Sequence, residues 1–186
     1  MAKSVEPVRL ALRKLWSDHV IWTRAYVLAA VAGSPDAGAA AGRLLKNQED
    51  IGEAIVPYYG KDAGSKLTDL LKEHILIAVD LVEAAKSGDE REFGKQDERW
   101  TANANDIARF LAQANSNWPE KDVRDLLALH LKLTKDETVA RLNKDWAADI
   151  KAFDDIFNEI MVLADAIFDG LVAQFPDKFH MSAAVA

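Results

Sequence analysis

The sequence predicts an all-α protein, an antiparallel bundle of about six helices. Apolar residues recur at spacings of three and four along nearly the whole chain. No segment alternates apolar and polar residues in the manner of a strand. Glycine, proline and asparagine gather between the periodic stretches, where one helix is expected to end and the next to begin.

Glycine and proline delimit the first three helices. Helix one is expected over about 5–32, ahead of a Gly-Ser-Pro-Asp segment at 33–36 that suits both a helix end and a helix start. Helix two is expected to stop at Pro57, because proline lacks the N–H that continues the hydrogen-bond ladder. Helix three is expected between Gly60 and Gly88.

The second half of the chain predicts three more helices. Helix four covers about 90–114, and a turn at 115–120 precedes helix five. Thr134 and Glu137 have the Thr-x-x-Glu spacing of a capping box, so we expect a break after His130 and a sixth helix from there. That helix has no proline before Pro176, so at about forty residues it would overhang the core, and a homodimer could form through it. The tail at about 180–186 is expected to fray.

Composition excludes several classes of protein. The chain has 186 residues, 49% of them hydrophobic, which is enough for one sizeable core and argues against disorder. Its net charge of −7 and pI near 5.1 argue against nucleic-acid binding, which needs a basic face. The absence of cysteine excludes disulfides, thiolate metal sites and a cysteine nucleophile.

Targeting and membrane signals are not found in the sequence. The first residues are charged and lack the apolar run of a signal peptide. No stretch of about 18 residues is continuously apolar. A soluble cytoplasmic protein that forms one domain over 1–186 and does not associate with membranes is therefore expected.

An internal repeat emerges when the chain is shifted against itself by 56 residues. Identical residues then coincide at several polar positions. Among them are Asn47 with Asn103, Asp50 with Asp106, and His74 with His130. This pattern predicts that helices two and three are related to helices four and five by a pseudo-twofold axis.

Three histidines stand where the apolar stripes of their helices call for leucine. They are His19, His74 and His130. Three aspartates, Asp50, Asp106 and Asp154, flank the apolar faces of other helices. Imidazoles and carboxylates are costly to bury unless they are paired, hydrogen-bonded or bound to a metal.

A divalent metal site is one interpretation of these six residues. Imidazole and carboxylate suit a transition ion such as Zn, Fe, Mn, Ni or Cu, held for storage, sensing or structure. Asn47, Asn103 and Arg24 would orient the ligands. The alternative is a metal-free scaffold or protein-interaction bundle, in which the buried polar residues only set the helix register.

Aromatic residues suggest a second alternative, a small-molecule or haem pocket. Such a pocket would be lined by Trp16, Trp22, Tyr59 and Trp100. No nucleophile stands beside a base in any local motif, and the Glu-x-x-His pairs of di-iron bundles are missing. The sequence therefore predicts that the protein is not an enzyme.

Two motifs carry a resemblance to known sequences. They are Trp-x-x-His-x-x-Trp-Thr-Arg at 16–24 and Trp-x-x-Asn-x-x-Asp-Ile at 100–107. With them, the chain over about 15–175 resembles a family of small bacterial all-helical proteins that has no assigned activity. The resemblance implies that the opening motif at 16–24 and the two repeated Asn-x-x-Asp motifs, at 47–50 and 103–106, belong to the family pattern, which favours a site built from them.

Overall fold

Six consecutive helices make up the fold, as the sequence predicts. A computed structural model describes residues 3–180. Its helices are α1 (Val5–Ala32), α2 (Ala37–Tyr59), α3 (Lys61–Ser87), α4 (Glu90–Ala114), α5 (Glu120–Leu142) and α6 (Trp146–Gln174). A short strand β1 (Lys3–Ser4) precedes them and pairs in parallel with β2 (Phe179–His180), which follows a 3-10 turn. Most of the tail expected to fray lies outside the described residues.

The helices close into a ring. Each helix packs against its neighbours in sequence, and α6 packs back against α1. Because the connections are short, consecutive helices run antiparallel, and α1, α3 and α5 share one direction. These three helices also contact one another, so they face the axis of the ring. The middle of each odd-numbered helix therefore meets the middle of the other two.

Glycines end α1 and α3 where the sequence predicts. Gly33 and Gly88 adopt left-handed conformations with φ of 67° and 72°, and their N–H groups bond back to the last turn of each helix. The predicted stop at Pro57 is short by two residues, since α2 continues to Tyr59. A proline in the final turn removes one hydrogen bond of a ladder that ends at Gly60 in any case.

The predicted break after His130 is wrong. Helix α5 runs unbroken to Leu142, and the hydroxyl of Thr134 donates to the carbonyl of His130 instead of capping a new helix. The chain turns at 143–145, and the carboxylate of Asp145 accepts the N–H of Ala148 to cap α6. At 29 residues, α6 is close in length to α1, which has 28, and is shorter than the forty or so residues expected.

The hydrophobic core has two parts. A main cluster draws on all six helices and on Phe179. A smaller cluster lies towards the α1–α2 loop. Its buried members are Tyr26, Val27, Ala30, Ala40 and Val82. Within the described residues, no helix is long and apolar enough to cross a membrane.

Candidate functional site

Three histidines meet near the axis of the bundle. The ring centroids of His19 and His130 are 5.4 Å apart, and those of His74 and His130 are 6.4 Å apart. Each residue is only 3% exposed. They stand near the middle of α1, α3 and α5, the helices that face the axis, and we call them the histidine centre.

Two of the rings donate a hydrogen bond through Nδ1 to the following helix. Asn103 Oδ1 accepts from His74 over 2.9 Å, and its amide orientation is set because Asn103 Nδ2 donates to the Leu70 carbonyl. Glu159 Oε2 accepts from His130 over 3.1 Å. Nδ1 therefore carries a proton in both rings, and in a neutral ring with this tautomer Nε2 has a free lone pair.

In the third ring, that of His19, Nδ1 accepts a hydrogen bond instead of donating one. Gln48 Nε2 lies 3.3 Å from His19 Nδ1 and donates to the Leu44 carbonyl over 2.8 Å. Nδ1 of His19 is therefore the acceptor, and the ring proton sits on Nε2. Gln48 Oε1 is buried and has no hydrogen-bond partner among the described residues.

The same contact recurs in each helical hairpin. The pairs His19–Gln48, His74–Asn103 and His130–Glu159 are each separated by 29 residues. They lie in α1–α2, α3–α4 and α5–α6, so successive histidines are 55 and 56 residues apart. The predicted pseudo-twofold relation between helices two–three and four–five is not confirmed. The contacts themselves repeat three times.

Burial keeps the imidazoles of His19 and His74 uncharged. Desolvation lowers the pKa of His74 to about 3, and the neighbouring His130 lowers it further. Desolvation also lowers the pKa of His19 well below 6.5, with His130 and His74 adding to the effect. Both rings are neutral at pH 7, which is the form that binds metals.

A cavity of about 20 Å³ lies against the histidine centre. The three rings and Trp100 line it, together with Thr23, Ala78 and Thr134 one turn further along the odd-numbered helices. No carboxylate is among its described lining residues. The volume suits one water or one ion and is far below that of haem.

The centre is not a ready-made metal site. No group of three or more His, Asp or Glu side chains in residues 3–180 is arranged to hold a metal ion. Two observations agree with this. The rings of His74 and His130 are 6.4 Å apart, and the Nε2 of His19 carries a proton in the hydrogen-bonding pattern above.

The three aspartates predicted as ligands lie at the surface. The side chain of Asp50 is 35% exposed and pairs with Lys46, and that of Asp106 is 55% exposed and pairs with Arg109. Asp154 is exposed as well. Asp50 and Asp106 each follow a buried asparagine by three residues, which rotates them about 60° from the inward direction and into solvent.

The residues predicted to orient the ligands take different positions. Asn103 contacts His74 directly. Asn47 is buried, donates to the Leu15 carbonyl and accepts from Gln48, so it supports the partner of His19 rather than the ring.

Arg24 lies in a separate arginine–carboxylate cluster. Its guanidinium donates to Glu137 and to Asp149, and Arg141 donates to Asp149 over 3.2 Å. Glu137 and Asp149 are each 1% exposed. Burial raises the pKa of Glu137 to about 7 even though Arg24 opposes the shift.

The four aromatic residues do not share a pocket. Trp16 and Trp100 pack beside His19 and His74, with ring centroids 5.8 and 5.0 Å apart. Trp22 lies under the guanidinium of Arg43. Tyr59 lies near the α6 end, where its hydroxyl accepts from Asn115 and donates to Gln174.

Gln48 and Glu159 are the histidine partners missing from the sequence-based set. A 29-residue spacing after each histidine connects them with Asn103, but a comparison by identity misses it because the three partners differ in type. Comparisons with protein-family models, curated proteins and solved structures found no significant match. Because no similar protein indicates a function, a functional proposal has to be based on the chemistry of the histidine centre.

Proposed function

We propose that the histidine centre binds a divalent transition-metal ion through Nε2 of His19, His74 and His130. The observation that carries this proposal is that all three buried rings use Nδ1 in a hydrogen bond and border one small cavity. Neutral imidazoles suit Zn, Ni, Cu and Fe, whereas Mn prefers oxygen ligands. Zn, Ni or Cu is the best match to a set of three nitrogens.

Of the two ring spacings, one already fits the proposal and the other does not. Three imidazoles bound to one ion at about 2.1 Å place their ring centroids about 5 Å apart. His19 and His130 already have this spacing, at 5.4 Å, while His74 and His130, at 6.4 Å, would have to approach by about 1 Å. Rotation of buried side chains on metal binding would supply that movement.

Binding also requires a proton shift on His19. Its proton must move from Nε2 to Nδ1, and the adjacent amide of Gln48 must then present an oxygen to that ring nitrogen. Gln48 Oε1 is buried and lacks a partner among the described residues, so rotation of the amide would supply such an acceptor, in exchange for the hydrogen bonds that Nε2 donates to the Leu44 carbonyl and to Asn47 Oδ1. The other two rings already have the required tautomer.

The partners on the even-numbered helices would act on the ion through the rings. A hydrogen bond at Nδ1 fixes the tautomer and orientation of a ligating histidine, and a carboxylate partner raises its basicity. Asn103 supplies the first effect at His74, and Glu159 supplies both effects at His130.

The test is elemental analysis of protein purified without an affinity tag or chelator, with thermal melts in EDTA and in added Zn, Ni, Cu, Fe or Mn. We expect near-stoichiometric metal and a Tm that falls with EDTA, because an ion bound only to the folded state stabilises it. His74→Gln should lose the metal, whereas Asp50→Asn and Asp106→Asn, at the surface, should keep it. A melt that no ion moves overturns the proposal.

A metal-free scaffold is the second candidate, and a specific observation favours it. Each of the three Nδ1 hydrogen bonds joins the two helices of one hairpin, as expected of a polar layer that sets helix register. In that case the protein contains no metal, and the double variant His74→Leu/His130→Leu keeps or gains stability in EDTA and in Zn alike.

A further inference from the structure

Two cavities of about 20 Å³ each lie between the helices, and their linings differ in polarity. The cavity beside the histidine centre is bordered by all three imidazoles and by the indole of Trp100. The described lining of the second, which we call the apolar cavity, consists of leucine, isoleucine and tryptophan side chains. A buried water needs about 10–15 Å³ of room and two to four polar partners. Both cavities have the room, and the one beside the histidines also has the partners.

The polar groups around the histidine cavity include both acceptors and donors. Nε2 of His74 and Nε2 of a neutral His130 ring accept, because Nδ1 carries the proton in each. Nε2 of His19 carries a proton and donates. Trp100 is 2% exposed, and its indole N–H has no hydrogen-bond partner among the described residues. Two acceptors and two donors match the two hydrogens and two lone pairs of one water molecule.

The spacing of the rings fits a hydrogen-bonded water. Two imidazoles that each bond to one water over about 2.9 Å, at a tetrahedral angle, have ring centroids about 6.5 Å apart. His74 and His130, at 6.4 Å, have this spacing, although it is too wide for a shared ion. The 5.4 Å between His19 and His130 corresponds to a narrower angle of about 85° at the water, which an oxygen acceptor tolerates because its preferred directions are broad.

From these features we propose that the histidine centre of the metal-free protein binds one water molecule. The water donates to Nε2 of His74 and of His130, and it accepts from Nε2 of His19 and Nε1 of Trp100. Each histidine belongs to a different helical hairpin, so the water connects the three hairpins, whereas the Nδ1 bonds connect the two helices within each hairpin. This inference does not rest on the proposed function, and an ion that bound there would displace the water.

The experiment is a high-resolution crystal structure of the full chain, treated with EDTA and shown by elemental analysis to be free of metal. Crystals are grown without ammonium salts, because an ammonium ion would give similar density. We expect one peak about 2.7–3.2 Å from Nε2 of His74 and of His130, and none in the apolar cavity. The apolar cavity is the internal control, since it has the same volume and lacks the polar partners.

Each other result of the crystal structure overturns the inference. A histidine cavity without density shows that the rings bind no water. A peak about 2.1 Å from the nitrogens is a metal ion, which overturns the inference and supports the proposed function. Equal density in both cavities shows that the imidazoles do not select the water. A water at the expected distances in a chain that takes up no added metal leaves the inference standing and overturns the proposed function.

NMR tests the same contact in solution. We expect a rotating-frame NOE between the indole proton of Trp100 and a long-lived water. Thr134→Val is the matched control, because Thr134 lines the same cavity but its hydroxyl donates to the His130 carbonyl. It should keep the signal, and a loss there would assign the signal to the hydroxyl. His74→Leu removes one acceptor and should abolish the signal, so a signal that persists in His74→Leu contradicts the proposed binding.

Discussion

His130 donates through Nδ1 to Oε2 of Glu159 over 3.1 Å, and both side chains are less than 5% exposed. The other two histidines meet a neutral amide at the same sequence separation. A carboxylate partner makes its imidazole more basic than an amide partner does. Under the proposed function, Glu159 is therefore the residue through which binding of the ion by His130 can be changed.

Glu159→Gln is expected to weaken metal binding by about 10- to 100-fold, the usual effect of altering the hydrogen-bond partner of a ligating histidine. The measurement is competition for Zn against a chromogenic chelator. Asp154→Asn, an exposed site on the same helix, is the control and should bind Zn as the unaltered chain does. Equal affinities for the Glu159→Gln and Asp154→Asn variants would show that Glu159 does not act on the ion.

The histidine centre should make the metal-free protein sensitive to acid. His19 and His74 have folded-state pKa values below 6.5, that of His74 being about 3, so below pH 6.5 the unfolded chain binds protons that the folded chain does not. Stability is expected to fall as pH drops below this value, by up to about 1.4 kcal/mol per pH unit for each histidine. Urea unfolding in EDTA at pH 7.5 and 5.5 measures the loss, and His74→Gln should reduce it.

Glu137 should oppose this loss. Its folded pKa of about 7 lies above the ordinary value of 4.5, so its contribution is fully present below pH 4.5 and lost as pH rises through 7. Glu137→Gln removes that contribution and is expected to steepen the fall in urea midpoint between pH 7.5 and 5.5. A shallower fall than in the unaltered chain would contradict the raised pKa.

Arg24 should be important for stability. Arg24→Ala leaves Glu137 and Asp149 buried with only Arg141 nearby, and we expect a loss of about 3–5 kcal/mol in the free energy of unfolding. Arg109→Ala breaks an exposed pair with Asp106 and should lose less than about 1 kcal/mol. Urea unfolding at pH 7.5 gives the free energy of unfolding of both variants. Similar losses would mean that the buried cluster around Arg24 contributes no more to stability than an exposed ion pair.

The space around two helical glycines predicts opposite effects of alanine substitution on stability. Gly52 lies where α2 packs closely on α3, and Gly94 lies in α4. A Cβ at Gly52 would lie 1.9 Å from Thr68 Oγ1 and 2.6 Å from the Gly64 carbonyl, so Gly52→Ala must separate the helices and should destabilise by about 1–3 kcal/mol. Gly94 is also helical, with nothing within 4 Å of its Cβ position. Gly94→Ala should stabilise by about 0.5–1 kcal/mol, and thermal melts measure both.

The wrongly predicted break in α5 shows that tertiary contacts can override a local capping motif. Thr134 and Glu137 have the spacing of a capping box, but Glu137 bonds to Arg24 of α1 and Thr134 faces the cavity. Glu137 gains a contact across the bundle, and the Thr134 hydroxyl donates to the His130 carbonyl one turn earlier in the same helix, so neither residue starts a helix. Distant partners of this kind have no local signature, because Arg24 is 113 residues away from Glu137 along the chain.

By itself the sequence determined the helical class, most helix ends and the three inward-facing histidines, because apolar periodicity and glycine or proline stops act within a few residues. Only the tertiary structure decided what surrounds those histidines. Their meeting point follows from closing the ring of α6 on α1, and their partners follow from which residue of the next helix faces inward. Asp50 and Asp106 each lie about 60° around the helix axis from a buried asparagine, and only packing decides that the asparagine faces inward and the aspartate faces solvent.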